Sequence, residues 1–118
     1  MRDLETELLI LRSGDNKWDI IPKAFGEPVG EVRILNEYSG FVTLEIVFDK
    51  DWRCGFTEEV ISEIVRYFFV ETEFHTVIAE NTDIEKELRS CGFHPQIRGR
   101  SDCGFSINKY KIKYERNT

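Results

Sequence analysis

The sequence predicts an α+β domain: a mostly antiparallel sheet is laid down first, and two helices are threaded through its second half. Three observations carry this. FVTLEIVF, Phe41 to Phe48, alternates Val42, Leu44, Ile46 and Phe48 with Thr43, Glu45 and Val47, the period-two pattern of a strand with one apolar face. Thr57 to Phe69 places Val60, Ile61, Ile64, Val65, Phe68 and Phe69 at helical spacing. The order of elements is several strands, helix, strand, helix, strands, which suits an α+β chain.

Taken in order, ETELLILRS holds a short apolar run, Leu8 to Leu11, expected as the first strand. WDIIPKAFGEPVGEVRIL reads as two strands around the turn signal Gly26-Glu27-Pro28. Asn36 to Gly40 reads as a second turn, and Phe41–Phe48 follows as the best strand in the chain. Thr57 is then expected to cap the first helix, with Glu58 and Glu59 facing the positive end of its dipole. His75 to Ala79 reads as a strand. NTDIEKELRSCGF reads as the second helix, with capping-box spacing between Thr82 and Glu85. Ile84, Leu88 and Cys91 line one face of it, Gly92 is a left-handed stop, and Phe93 packs behind. HPQIRG and GFSINKYKIKY supply two last strands.

The 118 residues suit one domain with a modest core, to which nine Phe, four Tyr and two Trp bring large buried area. Sixteen basic against 22 acidic residues give a net charge of −6, which argues against general nucleic-acid binding. Arg98, Arg100, Lys109, Lys111, Lys113 and Arg116 crowd the C-terminal end, and a solvated strand face and tail accounts for them better than a binding patch. Cys54, Cys91 and Cys103 are odd in number and lack CxxC spacing, so neither a disulfide framework nor a zinc site is expected. No basic-then-apolar leader opens the sequence and no apolar run is long enough to span a bilayer. The expected setting is a reducing cytoplasm, with no membrane partner.

One stretch asks for more than a fold. WRCGFTEEV, Trp52 to Val60, hands a strand over to a helix through a Trp, an Arg, a Cys and a single Gly. Gly55 can serve as a plain turn residue with Trp52 as a core plug. It can also let a phosphate approach the backbone at a helix N-terminus.

WRCGFTEEV resembles, without a gap, the cofactor loop WGKGYATEA of the GCN5-related N-acetyltransferase (GNAT) superfamily, in the branch that acetylates N-terminal alanines of ribosomal proteins. Trp52, Gly55 and Glu59 are identical. TELLILR resembles that branch's opening TERLILR, and ENTDIEKELRSCGF resembles its N-x-x-S-x-x-x-x-E-K-L-G-F segment, with Asn81 and Gly92-Phe93 in place. The matches run in order over nearly the whole chain.

The resemblance implies a GNAT-like sheet whose central strand pair splays, and acetyl-coenzyme A as cosubstrate without a metal. The backbone of Ile46, Val47 and Phe48 would edge the pantetheine slot. The amides of Arg53, Cys54, Gly55, Phe56 and Thr57 would hold the pyrophosphate, with an added contact from the Arg53 side chain. Asn81 would bond the pantetheine arm, or serve as a helix cap. The implied reaction is acetyl transfer to a primary amine by direct attack in a ternary complex. Glu45 and Glu80 are the candidate bases, each with a competing reading as a surface carboxylate. His75, His94 and Cys91 read as structural, and nothing near Cys54 in sequence activates it.

Three departures stand out. Thr57 occupies a place the family gives to a small residue. Leu88 stands where many members carry the Tyr that protonates the leaving thiolate. Ser13 to Lys17 leads almost at once to the next strand, where members normally carry two helices that wall the acceptor site; a homodimer could supply that wall instead. The departures favour an alternative, a non-catalytic module of the same fold acting through protein contacts, with or without coenzyme A. An unrelated α+β interaction domain is the further rival.

Overall fold

The computed structural model describes residues 1–49, 53–80, 83–95 and 104–110, with residues 53 and 54 described in backbone only. The strands are β1 (Leu4–Glu5), β2 (Leu9–Gly14), β3 (Lys17–Pro22), β4 (Gly30–Tyr38), β5 (Phe41–Phe48), β6 (Thr76–Ala79), β7 (His94–Pro95) and β8 (Phe105–Asn108). Helix α1 (Arg53–Glu71) connects β5 to β6, and α2 (Glu85–Ser90) follows β6. The strands form one sheet in the order β1-β2-β3-β4-β5-β6-β8-β7. Every neighbouring pair is antiparallel except β5 and β6, which α1 joins as a crossover. This is the mostly antiparallel α+β sheet with two helices that the sequence predicts.

Register puts the apolar side chains on one face. Leu11 lies beside Ile20, Trp18 beside Val32, Val32 beside Ile46, Leu44 beside Ala79, and Val77 beside Ile107. All are buried, and they share one core with Val60, Ile61, Ile64, Tyr67 and Phe68 of α1 and with Leu88 of α2. Trp18 sits at the centre with no exposure. It meets Tyr67 and Phe68 edge-on at 5.3 and 5.8 Å, and its Nε1–H donates to the Arg2 carbonyl at 2.9 Å.

The opposite face carries charge. Arg12 pairs with Asp19 at 3.4 Å, and Lys17 with Asp19 at 3.3 Å and Glu31 at 3.4 Å. Arg33 bonds Glu31 and reaches Glu45 at 3.5 Å. Alternating signs thus cross four strands, β2 to β5, on a face that neither helix covers.

Several expectations are corrected. The first long strand starts at Leu9 and runs on to Gly14. Asn36 to Tyr38 belong to β4, paired with Thr43, Val42 and Phe41, so the turn is Ser39-Gly40 with Gly40 at φ 82°. These residues are polar because that end of β4 is exposed, and a bulge at Leu35 keeps the register.

Helix α1 begins at Arg53, four residues before the expected cap. Thr57 is therefore inside the helix and buried, and Glu58 and Glu59 fall beyond the first turn. The cap of α2 is Ile84, with no side-chain cap bond, so Glu85 is not the third residue of a capping box; Thr82 lies outside the described residues. Lys109 and Tyr110 leave the last ladder for a helical turn, and 111–118 lie outside the described residues. The stop at Gly92 is as expected. Its φ is 98°, Gly92 N–H donates to the Arg89 carbonyl at 3.1 Å, and Phe93 N–H to the Leu88 carbonyl at 3.0 Å, a Schellman closure.

The far end of α1 is clasped by the N-terminus. Arg2 bonds both oxygens of Glu71, at 2.6 and 2.5 Å, and Arg66 joins them at 3.0 Å. These bonds, led by those from Arg2, hold the Glu71 carboxyl at about 2, below its ordinary 4.5.

Two outcomes follow from this packing. Trp18→Ala removes the central plug and should cost about 3–5 kcal/mol in urea denaturation. A carboxylate with a lowered folded pKa adds stability that is complete above the ordinary value and drains away as the pH falls through the folded one. The stability gap between wild type and Glu71→Gln should therefore hold at neutral pH and close as the pH falls from 4.5 to about 2. A constant gap across that window would contradict the clasp.

Candidate functional site

The site is set by where one strand stops short beside another. Pairing between β5 and β6 ends at Leu44 and Ala79, and the Glu80 N–H donates to the Leu44 carbonyl at 3.0 Å. Beyond that point β5 continues to Phe48, with β4 on its other side. Backbone groups alternate sides along a strand. Since the Leu44 carbonyl faces β6, Ile46 and Phe48 turn theirs the same way, whereas Val47 turns its toward β4. Ile46 and Phe48 are thus the slot-side residues of the expected trio.

Gly30 lets β4 come close at this point. A Cβ there would lie 2.3 Å from the Val47 carbonyl oxygen and 2.9 Å from Phe48 Cα. The sequence marks Gly30 only as a residue near a turn. Its packing role becomes visible once the two strands are in register.

Helix α1 starts almost at once after β5. The amides of Arg53, Cys54 and Gly55 fall in its first turn, and such groups have no partner within a helix. The Thr57 amide can bond the Arg53 carbonyl, which makes it a weaker candidate as a donor to a ligand. Phe56 packs against the core and Thr57 is buried, so both side chains point inward. Gly55 differs. It is exposed, its φ lies outside the left-handed region, and a Cβ added to it would meet nothing within 4 Å. The fold therefore does not require glycine here. What the missing side chain leaves is bare backbone at the positive end of a 19-residue helix.

Gly55 opens onto a groove of about 530 Å³ lined by Glu58, Glu59, Lys86 and Glu87, between α1 and α2. Glu59 is engaged elsewhere. It accepts from the Thr6 hydroxyl and from the Leu8 N–H at 3.0 Å, at the tip of the β1–β2 turn. Thr6 and Glu59 come from two motifs quoted separately from the sequence, and in the fold they touch.

Glu45 and Glu80 are brought to the same place, on either side of the last β5–β6 hydrogen bond. Glu45 stands on the charged face, ion-paired to Arg33, and Glu80 is exposed at the end of β6. Asn81, the expected pantetheine contact, and Trp52 lie outside the described residues, as do the side chains of Arg53 and Cys54. Leu88 is fully buried in the core.

Cys91 is half-buried rather than in the core. Its thiol lies 3.8 Å from Ser62 Oγ, and burial raises its pKa, which leaves it a poor nucleophile. His75 Nδ1 meets Thr76 Oγ1 at 2.8 Å and its ring packs edge-on to Phe41. Among the described residues no three potential ligands gather to hold a metal.

No protein-family model and no curated protein matches the sequence. Solved structures do match it in fold. The N-terminal domain of a ribosomal-protein-alanine acetyltransferase from Clostridium acetobutylicum superposes with a TM-score of 0.75 over 94% of this chain and 98% of that one, at 12% identity. An acetyltransferase from Agrobacterium tumefaciens gives 0.72 over 92% and 95%, at 14% identity. A variant of the spermidine N-acetyltransferase from Vibrio cholerae gives 0.66 over 85% and 67%, at 18% identity. The chain has the fold of the GNAT acetyltransferases.

If Gly55 is kept for what it leaves open rather than for its conformation, Gly55→Ala should raise folding stability by roughly 0.5–1 kcal/mol, the usual helical gain. Loss of stability in urea denaturation would show that the backbone itself needs glycine there.

Proposed function

We propose that this chain is a compact, single-domain N-acetyltransferase, cytoplasmic in setting, that binds acetyl-coenzyme A and passes its acetyl group to a primary amine. The observation that carries this reading is the side-chain-free backbone of Gly55 at the start of α1, next to the length of β5 that extends past β6. An extended amide-bearing arm fits the edge of Ile46 and Phe48. The phosphates fit the amides of Arg53 to Gly55, where the helix dipole favours negative charge. When bound, the cosubstrate supplies a thioester-activated acetyl group.

The chain's own part is to hold and orient. Glu45 and Glu80 flank the end of the β5–β6 ladder, where a carboxylate can take a proton from an incoming ammonium, directly or through water. Glu80 is the better placed of the two, because Glu45 already faces Arg33. The neighbours are named for ribosomal-protein alanine and for spermidine, both amines, and that supports an amine as acceptor class.

Leu88 and the outer sheet face support a second reading. An aliphatic core residue cannot donate a proton, so turnover without another acid would be slower by the ~10²–10⁴-fold typical of general acid catalysis. The link from β2 to β3 is only Asp15-Asn16, with Asn16 at φ 54°, so no helical segment covers the charged face there. A GNAT-fold module that works through protein contacts fits these features, and a second subunit on that face would reconcile them with catalysis.

Calorimetric titration with acetyl-coenzyme A, followed by turnover on a panel of amines, separates the readings. Gly55→Asp puts a side chain and a negative charge on the open backbone, and should weaken binding at least about tenfold, the loss of one charge-assisted hydrogen bond or more. Equal affinity in wild type and Gly55→Asp, with both folded, would refute the phosphate assignment. Binding in wild type with no turnover on any amine would favour the non-catalytic module.

A further inference from the structure

The groove at Gly55 poses a problem that the reading above leaves open. Three of its five lining residues are glutamates, which is an odd choice beside a polyanion. One of them, Glu59, lies one helical turn past Gly55, and in a helix its N–H bonds the Gly55 carbonyl. Its carboxylate reaches the β1–β2 turn, 51 and 53 residues away in sequence, and accepts from the Leu8 N–H and the Thr6 hydroxyl with a single oxygen.

The turn it grips is itself closed. Thr6 N–H donates to the Leu9 carbonyl at 2.9 Å, and Leu9 N–H donates to Thr6 Oγ1 at 3.0 Å. The Thr6 hydroxyl thus accepts from Leu9 and gives its one proton to Glu59. The helical turn being gripped needs support, because glycine is a poor helix former and the Gly55 position has no side chain to pack.

We propose that Glu59 is a positioning residue. By fastening the start of α1 to the β1–β2 turn, it fixes the direction of the Arg53–Gly55 amides, and so sets the affinity for coenzyme A without touching it. This rests on the reading that the phosphates sit at those amides. It also explains why a carboxylate is tolerated there, since its oxygen is committed to two donors on the hairpin. The bond carries the role, and the charge is incidental.

The test compares acetyl-coenzyme A affinity by calorimetry for wild type, Glu59→Gln, Glu59→Leu and Thr6→Val, at a temperature where circular dichroism shows each one folded. Gln keeps an acceptor oxygen at the same reach and should bind within about threefold of wild type. Leu removes the acceptor of both bonds and should weaken binding about tenfold, and Val, which leaves the Leu8 N–H bond to Glu59, should weaken it by a smaller factor. The double variant Thr6→Val/Glu59→Leu should be little worse than Glu59→Leu alone, because that change already breaks both bonds. Thr6→Val tests the link from the hairpin side if Glu59→Leu fails to fold.

Unchanged affinity in Glu59→Leu, even with a lower melting temperature, would assign Glu59 to stability alone and overturn the proposal. Tighter binding by Glu59→Gln, or a loss as large as that of Leu, would show that the charge is what counts and overturn it equally. No binding by wild type would instead bring down the phosphate assignment, and the proposal with it.

Discussion

The apolar side of α1 has to be buried, and the chain offers one face of one sheet to bury it. That constraint organises the molecule. Val60, Ile61, Ile64, Tyr67 and Phe68 pack over Trp18, whose indole nitrogen is satisfied by the Arg2 carbonyl, so the plug is both apolar and fully bonded. Because α2 shares the same core, no helix among the described residues covers the other face of the sheet. There the strands present alternating charges from Arg12 to Glu45. Exposed pairs of this kind add little stability each. Their effect is to keep a wide face polar without building up charge of one sign.

The candidate site is a consequence of the same packing. A helix that follows β5 with only a short link must begin beside the end of β5. A parallel β6 that starts level with Phe41 and is only four residues long must end halfway along β5. The two facts place the last residues of β5, past the end of β6, next to a helix N-terminus, where Gly55 adds no side chain. Bonds between the N-terminal segment and α1 hold the arrangement at both ends. Thr6 and Leu8 engage Glu59 near the start, and Arg2 engages Glu71 at the finish. The N-terminal segment is thus bonded to α1 near both of its ends.

Much of the fold was legible in the sequence wherever one local signal agreed with packing. The alternation of Phe41–Phe48 gave β5 to the residue, and Gly92 announced its left-handed turn. The start of α1 was missed because Thr57 is a good cap in isolation, yet here it is buried within the helix. Asn36 to Tyr38 looked like a turn because an exposed strand end has no apolar face to show.

The candidate site was legible only in part. The motif around Gly55 singled out the start of α1, where the backbone is exposed, and Glu45 and Glu80 lie on either side of the last β5–β6 bond. The Glu59 link could not be read, because it joins residues more than fifty apart and no local pattern encodes it. The close approach at Gly30 was hidden for a similar reason, since it exists only once β4 and β5 are in register.

If one ligand touches both the last residues of β5 and the first turn of α1, a backbone amide map by heteronuclear NMR during titration with acetyl-coenzyme A will register both. Saturable shifts are expected at Ile46–Phe48 and at Arg53–Phe56, with the charged outer face at Arg12, Lys17 and Glu31 unmoved. Shifts confined to that outer face, or none at saturating ligand, would refute a ligand that bridges the two.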